Sequence, residues 1–193
     1  WLYRGSNWQQ NKKAIWSDPF ATGVKISGIL DHPVVQVSWH DAQEFCKWAG
    51  KTLPDEQQWE KAARGVDGRT WPWGNMWQRD NCNSASFWAQ RDLHDYEKQW
   101  KPWWEREFPK KFDGKIMTTP VGQFESNVSP FGCLDAAGNV WEWCANEWKE
   151  GSNTRVLRGG AWYFLPLDVS CASRSYVNPD DCVDGIGFRC ART

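Results

Sequence analysis

The chain has 193 residues, a net charge of -1 and 17 tryptophans. This length supports one domain with its own core over 1–193, the near-neutral charge leaves no basic footprint for nucleic acid, and no apolar run is long enough for direct membrane insertion. Seven cysteines, Cys46, Cys82, Cys133, Cys144, Cys171, Cys182 and Cys190, are an odd number without a close Cys-x-x-Cys pair, so at least one thiol is free or intermolecular.

Residues 1–31 carry Trp1, Trp8 and Trp16 among polar residues without a period, which predicts irregular chain pinned by aromatic contacts. After the short apolar run 34–37, Ser38 and Asp41 have the spacing of a helix N-cap whose third residue returns the hydrogen bond. Ala42, Phe45, Cys46 and Ala49 then mark one buried face, Gly50 the stop, and His40 a solvated first turn. Asp55 and Gln58 repeat the device for a second helix, with Trp59, Ala62 and Ala63 inward and Gly65 at its end. From 66 to 119 turn signals and aromatics replace periodicity, and a loop run of that length needs a stabilising device.

Residues 140–144 read as a strand with Trp141 and Trp143 on one face and Glu142 on the other, solvated one. Two anchors close the chain. Val156 and Leu157 suit a strand that Gly159 and Gly160 then bend, and Ile186, Phe188 and Cys190 alternate as a half-buried strand does. The simplest expectation is that these two anchors pair. Between them, 163–184 has no helical or strand period and reads as a presented loop region.

Several motifs resemble the formylglycine-generating-enzyme, or sulfatase-modifying factor, domain, a variant of the C-type lectin fold. They are His32-Pro33-Val34-Val35, Gly50-Lys51-Thr52-Leu53-Pro54, Pro72-Trp73-Gly74-Asn75, Gly138-Asn139-Val140-Trp141-Glu142-Trp143, Gly159-Gly160-Ala161-Trp162 and Gly187-Phe188-Arg189-Cys190. They occur in the family's order from His32 to Arg192. The resemblance implies an α+β fold with two helices, short antiparallel strands and long loops. It also implies a further N-terminal strand region not found in this sequence, so that the chain is expected to be a fragment or processed product.

The resemblance further implies two structural calcium sites. One would use Asn83, the Ser84 carbonyl, Asp113 and the Lys115 carbonyl, clamping two distant loop segments. The other would use Asp135, the carbonyls of Gly138 and Val140, and Glu142, provided that the backbone at Gly138 and Asn139 folds back. Copper is not expected. Oxidising members of the family carry two active cysteines shortly after the segment matching Gly159 to Trp162, whereas here 163–170 holds none and Cys171 sits at a scaffold position.

Within the same fold, the chain is most like the variable proteins of diversity-generating retroelements. There, adenine-directed mutagenesis of Asn codons cannot yield Lys, Glu, Gln, Met or Trp. Those five types are absent from 163–184, yet number 51 in the remaining 171 positions. Tyr163, Phe164, Leu165, Leu167, Asp168, Ser173, Ser175, Tyr176, Val177, Asp180, Asp181, Cys182 and Asp184 each lie within two adenine changes of an Asn codon. They form the expected ligand-binding set, with aromatic and aliphatic anchors exposed for a protein or other macromolecular ligand, and with display on a cell or virion surface. The alternative is a formylglycine-generating or related sulfatase-modifying oxidoreductase.

Overall fold

The structure, a computed structural model, describes residues 1–4, 7–21, 23, 26–111 and 115–192. Helix α1 (Trp39–Trp48) starts as its sequence dictates, with Ser38 Oγ accepting from the Asp41 amide while the Asp41 carboxylate accepts from the Ser38 amide. Helix α2 (Glu56–Arg64) repeats the exchange between Asp55 and Gln58, and Gly65 ends it at φ 75°. Each reciprocal cap satisfies two amides that the first turn would otherwise leave unpaired. Ala42, Cys46, Trp59 and Ala63 are buried as expected, but Phe45 is half out of the fold, resting on Trp48 and Phe188.

A hairpin of β1 (Leu2–Arg4) and β2 (Asn7–Gln9) stands apart from a four-stranded sheet. That sheet comprises β3 (Trp141–Glu147), β4 (Arg155–Arg158), β5 (Arg174–Val177) and β6 (Ile186–Gly187), in the order β5-β4-β3-β6. The α+β class is as expected, but the two anchors do not pair. β4 runs antiparallel to β3, and β6 joins the other edge of β3 in parallel. Trp141 to Cys144 are buried on both faces, which is what a central strand requires and what an alternating pattern concealed. The strands are therefore not all antiparallel, and part of the presented loop region is itself the edge strand β5, paired with β4.

The stretch expected to be loop from 66 to 119 contains α3 (Ala85–Ala89) and, after a π-helical turn at Tyr96–Trp100, helix α4 (Lys101–Lys111). Pro102 and Pro109 masked α4, although Trp100, Trp103, Trp104 and Phe108 carry a helical spacing and are buried. These rings form the core with the N-terminal hairpin. Trp104 lies 5.2 Å from Trp162 and 5.5 Å from Tyr3, ring centre to ring centre. Leu2, Tyr3, Phe20 and Ile29 hold down the first 31 residues, while Trp1, Trp8 and Trp16 stay largely exposed.

Gly160 fixes the path into the 163–184 segment. Its φ is 76°, and a Cβ there would lie 2.6 Å from Val169 Cγ1 and 2.8 Å from the Asp168 carbonyl oxygen. Only glycine allows the chain to fold back so tightly on the turn Pro166–Val169.

Candidate functional site

The 163–184 segment divides by burial, and the division corrects the expected exposed set. Tyr163 is 6% exposed and Asp184 fully buried. Tyr163 stacks on Tyr3 at 4.8 Å, and the Asp184 carboxylate accepts from the Tyr3 amide at 3.1 Å. Burial, followed by the neighbouring Asp184 charge, raises the Tyr163 hydroxyl well above its ordinary pKa. Phe164 and Leu165 are half-buried against the main core rather than free anchors. Leu167, Asp168, Tyr176 and Asp180 face solvent, with Leu167 71% exposed. Ser173, Ser175, Val177, Asp181 and Cys182 are intermediate. A composition bias along the chain carries no sign of inward or outward, so the two buried members were indistinguishable in sequence.

What the segment forms with the rest of the chain is a cleft of about 410 Å³. Trp1 and Trp8 from the N-terminal hairpin region, Trp141 and Leu157 from the sheet, and Tyr163, Phe164, Ser175, Val177, Asp181, Val183 and Ile186 line it. Residues 1 to 8 had shown no chemistry in sequence. The relevant signal was only their aromatic content, because the cleft residues they meet lie far away in sequence, Tyr163 being 155 positions after Trp8.

The residues of the second expected calcium set share one cavity. Asp135, Gly138, Val140 and Glu142 line one cavity of about 400 Å³, and Asp135, Gly138 and Asn139 all take positive φ, at 53°, 75° and 66°, so that the backbone folds back as required. The carbonyls of Gly138 and Val140 accept no hydrogen bond among the described residues. Asp135 accepts from the Gly122 amide at 2.6 Å, and burial pushes its carboxyl up. These donors fit a hard cation. Glu142, however, is not on a solvated face. It is buried, accepts from Trp59 Nε1 at 2.6 Å, and is held by both Nε and a terminal nitrogen of Arg189, at 2.5 and 2.6 Å.

The first calcium set falls only partly within the described residues. Asn83 Oδ1 already accepts from Trp88 Nε1, its Nδ2 donates to Met117 and Asn139, and its carbonyl accepts from the Asn139 amide. The Ser84 carbonyl accepts from the Trp88 amide, Lys115 is exposed, and Asp113 lies outside the described residues. Among the described residues, no three His, Cys, Asp or Glu side chains cluster as a metal site.

Calcium at the second set would stabilise the native state by mass action, by about 2.7 kcal/mol at a hundredfold excess over its dissociation constant. For a chain of this size that corresponds to roughly 5 to 10 °C in Tm. We expect EDTA to lower Tm by that order in the wild type and by little in Asp135→Asn, read by differential scanning calorimetry. An EDTA effect of equal size in both would remove Asp135 from any such site.

None of the seven cysteines lines the 410 Å³ cleft. Burial pushes the thiols of Cys82 and Cys171 up to about 12, and raises Cys144 and Cys182 as well. Cys46 and Cys190 approach to 3.5 Å between α1 and the C-terminal segment, where burial, with Cys190 beside it, pushes the Cys46 thiol up to about 12. In the absence of a metal, thiols raised by burial are poor nucleophiles.

The profile of the sulfatase-modifying factor enzyme 1-like domain matches residues 2–193. Inactive C-alpha-formylglycine-generating enzyme 2 of Bos taurus is 36% identical over 195 residues, a span of 95% of this chain and 58% of that one. Formylglycine-generating enzyme of Thermomonospora curvata is 35% identical over 209 residues, covering 95% and 63%. The chain thus spans about three fifths of these curated relatives. Among solved structures, Treponema denticola variable protein 1 superposes with a TM-score of 0.61 at 18% identity, over 82% of this chain and 70% of that one. PvdO from Pseudomonas aeruginosa gives 0.59 at 24% identity, over 82% and 60%. Both superpositions are likenesses of fold.

Proposed function

Because the chain belongs to the sulfatase-modifying factor enzyme 1-like domain family, with its C-type lectin-like fold, we propose that it is a ligand-binding member of that family rather than an oxidoreductase. The observation that carries this reading is the cleft: aromatic and aliphatic side chains with one carboxylate line it, and no thiol does. Sequence identity cannot separate the two roles, since relatives named as enzymes and relatives named as inactive match it at similar levels, 35% and 36%. The position of the thiols supports the binding role. A copper-binding cysteine pair needs two thiols open to substrate, and the one close pair among the described residues, Cys46 and Cys190, does not line the cleft.

The finer reading, a retroelement-diversified surface, rests on the five residue types missing from 163–184. Burial confines it to positions that can vary without loss of the core: Leu167, Asp168, Tyr176 and Asp180, with the half-buried residues at the rim. A near-copy of the 3' end of the gene, differing only at adenines and lying beside a reverse transcriptase, is its expected genomic mark. Its absence would leave a ligand-binding domain of fixed sequence.

The purified protein, incubated with copper and a cysteine-containing sulfatase peptide, is expected to give no formylglycine above the control without enzyme. Turnover that disappears on replacing Cys46 or Cys190 would overturn the binding reading in favour of a displaced oxidising site.

A further inference from the structure

Resting on the reading of this cleft as a ligand site, we propose that its occupant is a free small quaternary ammonium compound. Four rings run round the cleft in contact, and their planes turn from one to the next. Trp8 meets Tyr163 at 5.5 Å and 79°, Tyr163 meets Phe164 at 4.7 Å and 41°, and Phe164 meets Trp141 at 5.2 Å and 85°. Two near-perpendicular joints make walls and a floor rather than a flat platform. A ring face carries the negative end of its quadrupole, so a box of rings attracts a cation whose charge is spread over methyl groups and which sheds its water at little cost.

The charge of the cleft has the matching sign. Asp181 is its one ionisable carboxylate, no lysine, arginine or histidine among the described residues lines it, and the Trp1 ammonium at its edge is already taken up by the Cys182 carbonyl. One oxygen of Asp181 accepts from the Asn178 amide at 3.2 Å, which fixes the carboxylate, and the other takes no hydrogen bond among the described residues. The arginines of the neighbouring strands are already stacked elsewhere, Arg155 over Trp39 at 4.1 Å and Arg174 over Trp148 at 4.0 Å. A volume of about 410 Å³ suits a small molecule, and apart from Asp181 and the Ser175 hydroxyl the lining side chains are apolar or aromatic and offer little to the ordered shell of water that a primary ammonium retains.

The test compares choline with 3,3-dimethylbutan-1-ol, which has the same shape with carbon in place of charged nitrogen. Binding is followed by tryptophan fluorescence and confirmed by calorimetry. Choline is expected to bind about tenfold more tightly than the neutral analogue, and Asp181→Asn and Trp8→Leu each to weaken choline about fivefold or more while leaving the melting curve in place. Equal binding of the two probes would overturn the cationic class while keeping the cleft as a ligand site. No saturable binding of either probe would sink the proposal altogether. Binding to phosphatidylcholine vesicles without binding of free choline would also overturn it, because the occupant would then be a membrane headgroup.

Discussion

Replacing Tyr163 with serine is expected to cost about 3 to 5 kcal/mol of folding stability, the usual range for truncating a buried aromatic. The side chain is stacked on Tyr3 and edged by Trp162 and Trp8, so nothing nearby can collapse into the space it leaves. By contrast, a combined change of Leu167, Asp168, Tyr176 and Asp180 to Asn or Ser is expected to stay within about 2 kcal/mol, since surface substitutions cost within about 0.5 kcal/mol each. Tyr176, which leans on Trp148 at 4.8 Å, is expected to contribute the largest share. Urea titrations of the two variants decide the matter. A loss in the four-site variant as large as that of Tyr163→Ser would mean that the outward residues are also structural, and the diversified surface would have nowhere to be.

Glu142→Gln is the second variant with a large expected effect, about 3 kcal/mol. Removing the charge leaves the Arg189 guanidinium without its bidentate partner, and Arg189 reaches past it only to the carbonyls of Leu134 and Asp135. The lower end of the range for buried pairs applies because Arg189 keeps 30% of its side-chain surface in water. The double variant Glu142→Gln with Arg189→Met is expected to recover part of the loss, since two matched neutral groups replace one stranded charge. Melts run in EDTA separate this effect from calcium. A loss below about 0.5 kcal/mol would place the pair among ordinary surface ion pairs.

These two sites show where sequence reasoning carried and where it stopped. Ser38 with Asp41 and Asp55 with Gln58 exposed α1 and α2 because a cap is a local device, complete within four residues. Glu142 could not be read in that way. Alternation correctly put it opposite Trp141 and Trp143, but the far side of β3 is covered by Trp59 of α2, some 80 residues earlier, and by Arg189. Which face of a strand meets water is decided by elements distant in sequence. The turn that brings Asp135 to Glu142 onto one cavity lies within eight residues, whereas the aromatic box draws on residues 8, 141, 163 and 164 and appears only once the chain is folded. Helix α4 was a different failure. Its apolar spacing was present in Trp100, Trp103, Trp104 and Phe108, but the stretch was read as a run of turn signals and aromatics.

The bond from the Tyr3 amide to Asp184 joins residues 181 positions apart, and the Asp184 amide returns to the Trp1 carbonyl. At a synthesis rate of about 5 to 20 residues per second, roughly 10 to 35 s separate the emergence of the two ends of that bond from a ribosome. Until the C-terminal segment emerges, the hairpin has no Asp184 to hold it and Tyr3 has no Tyr163 to stack on. The newborn chain therefore carries Trp100 and Trp104 incompletely covered until Trp162 and Tyr163 arrive near its end.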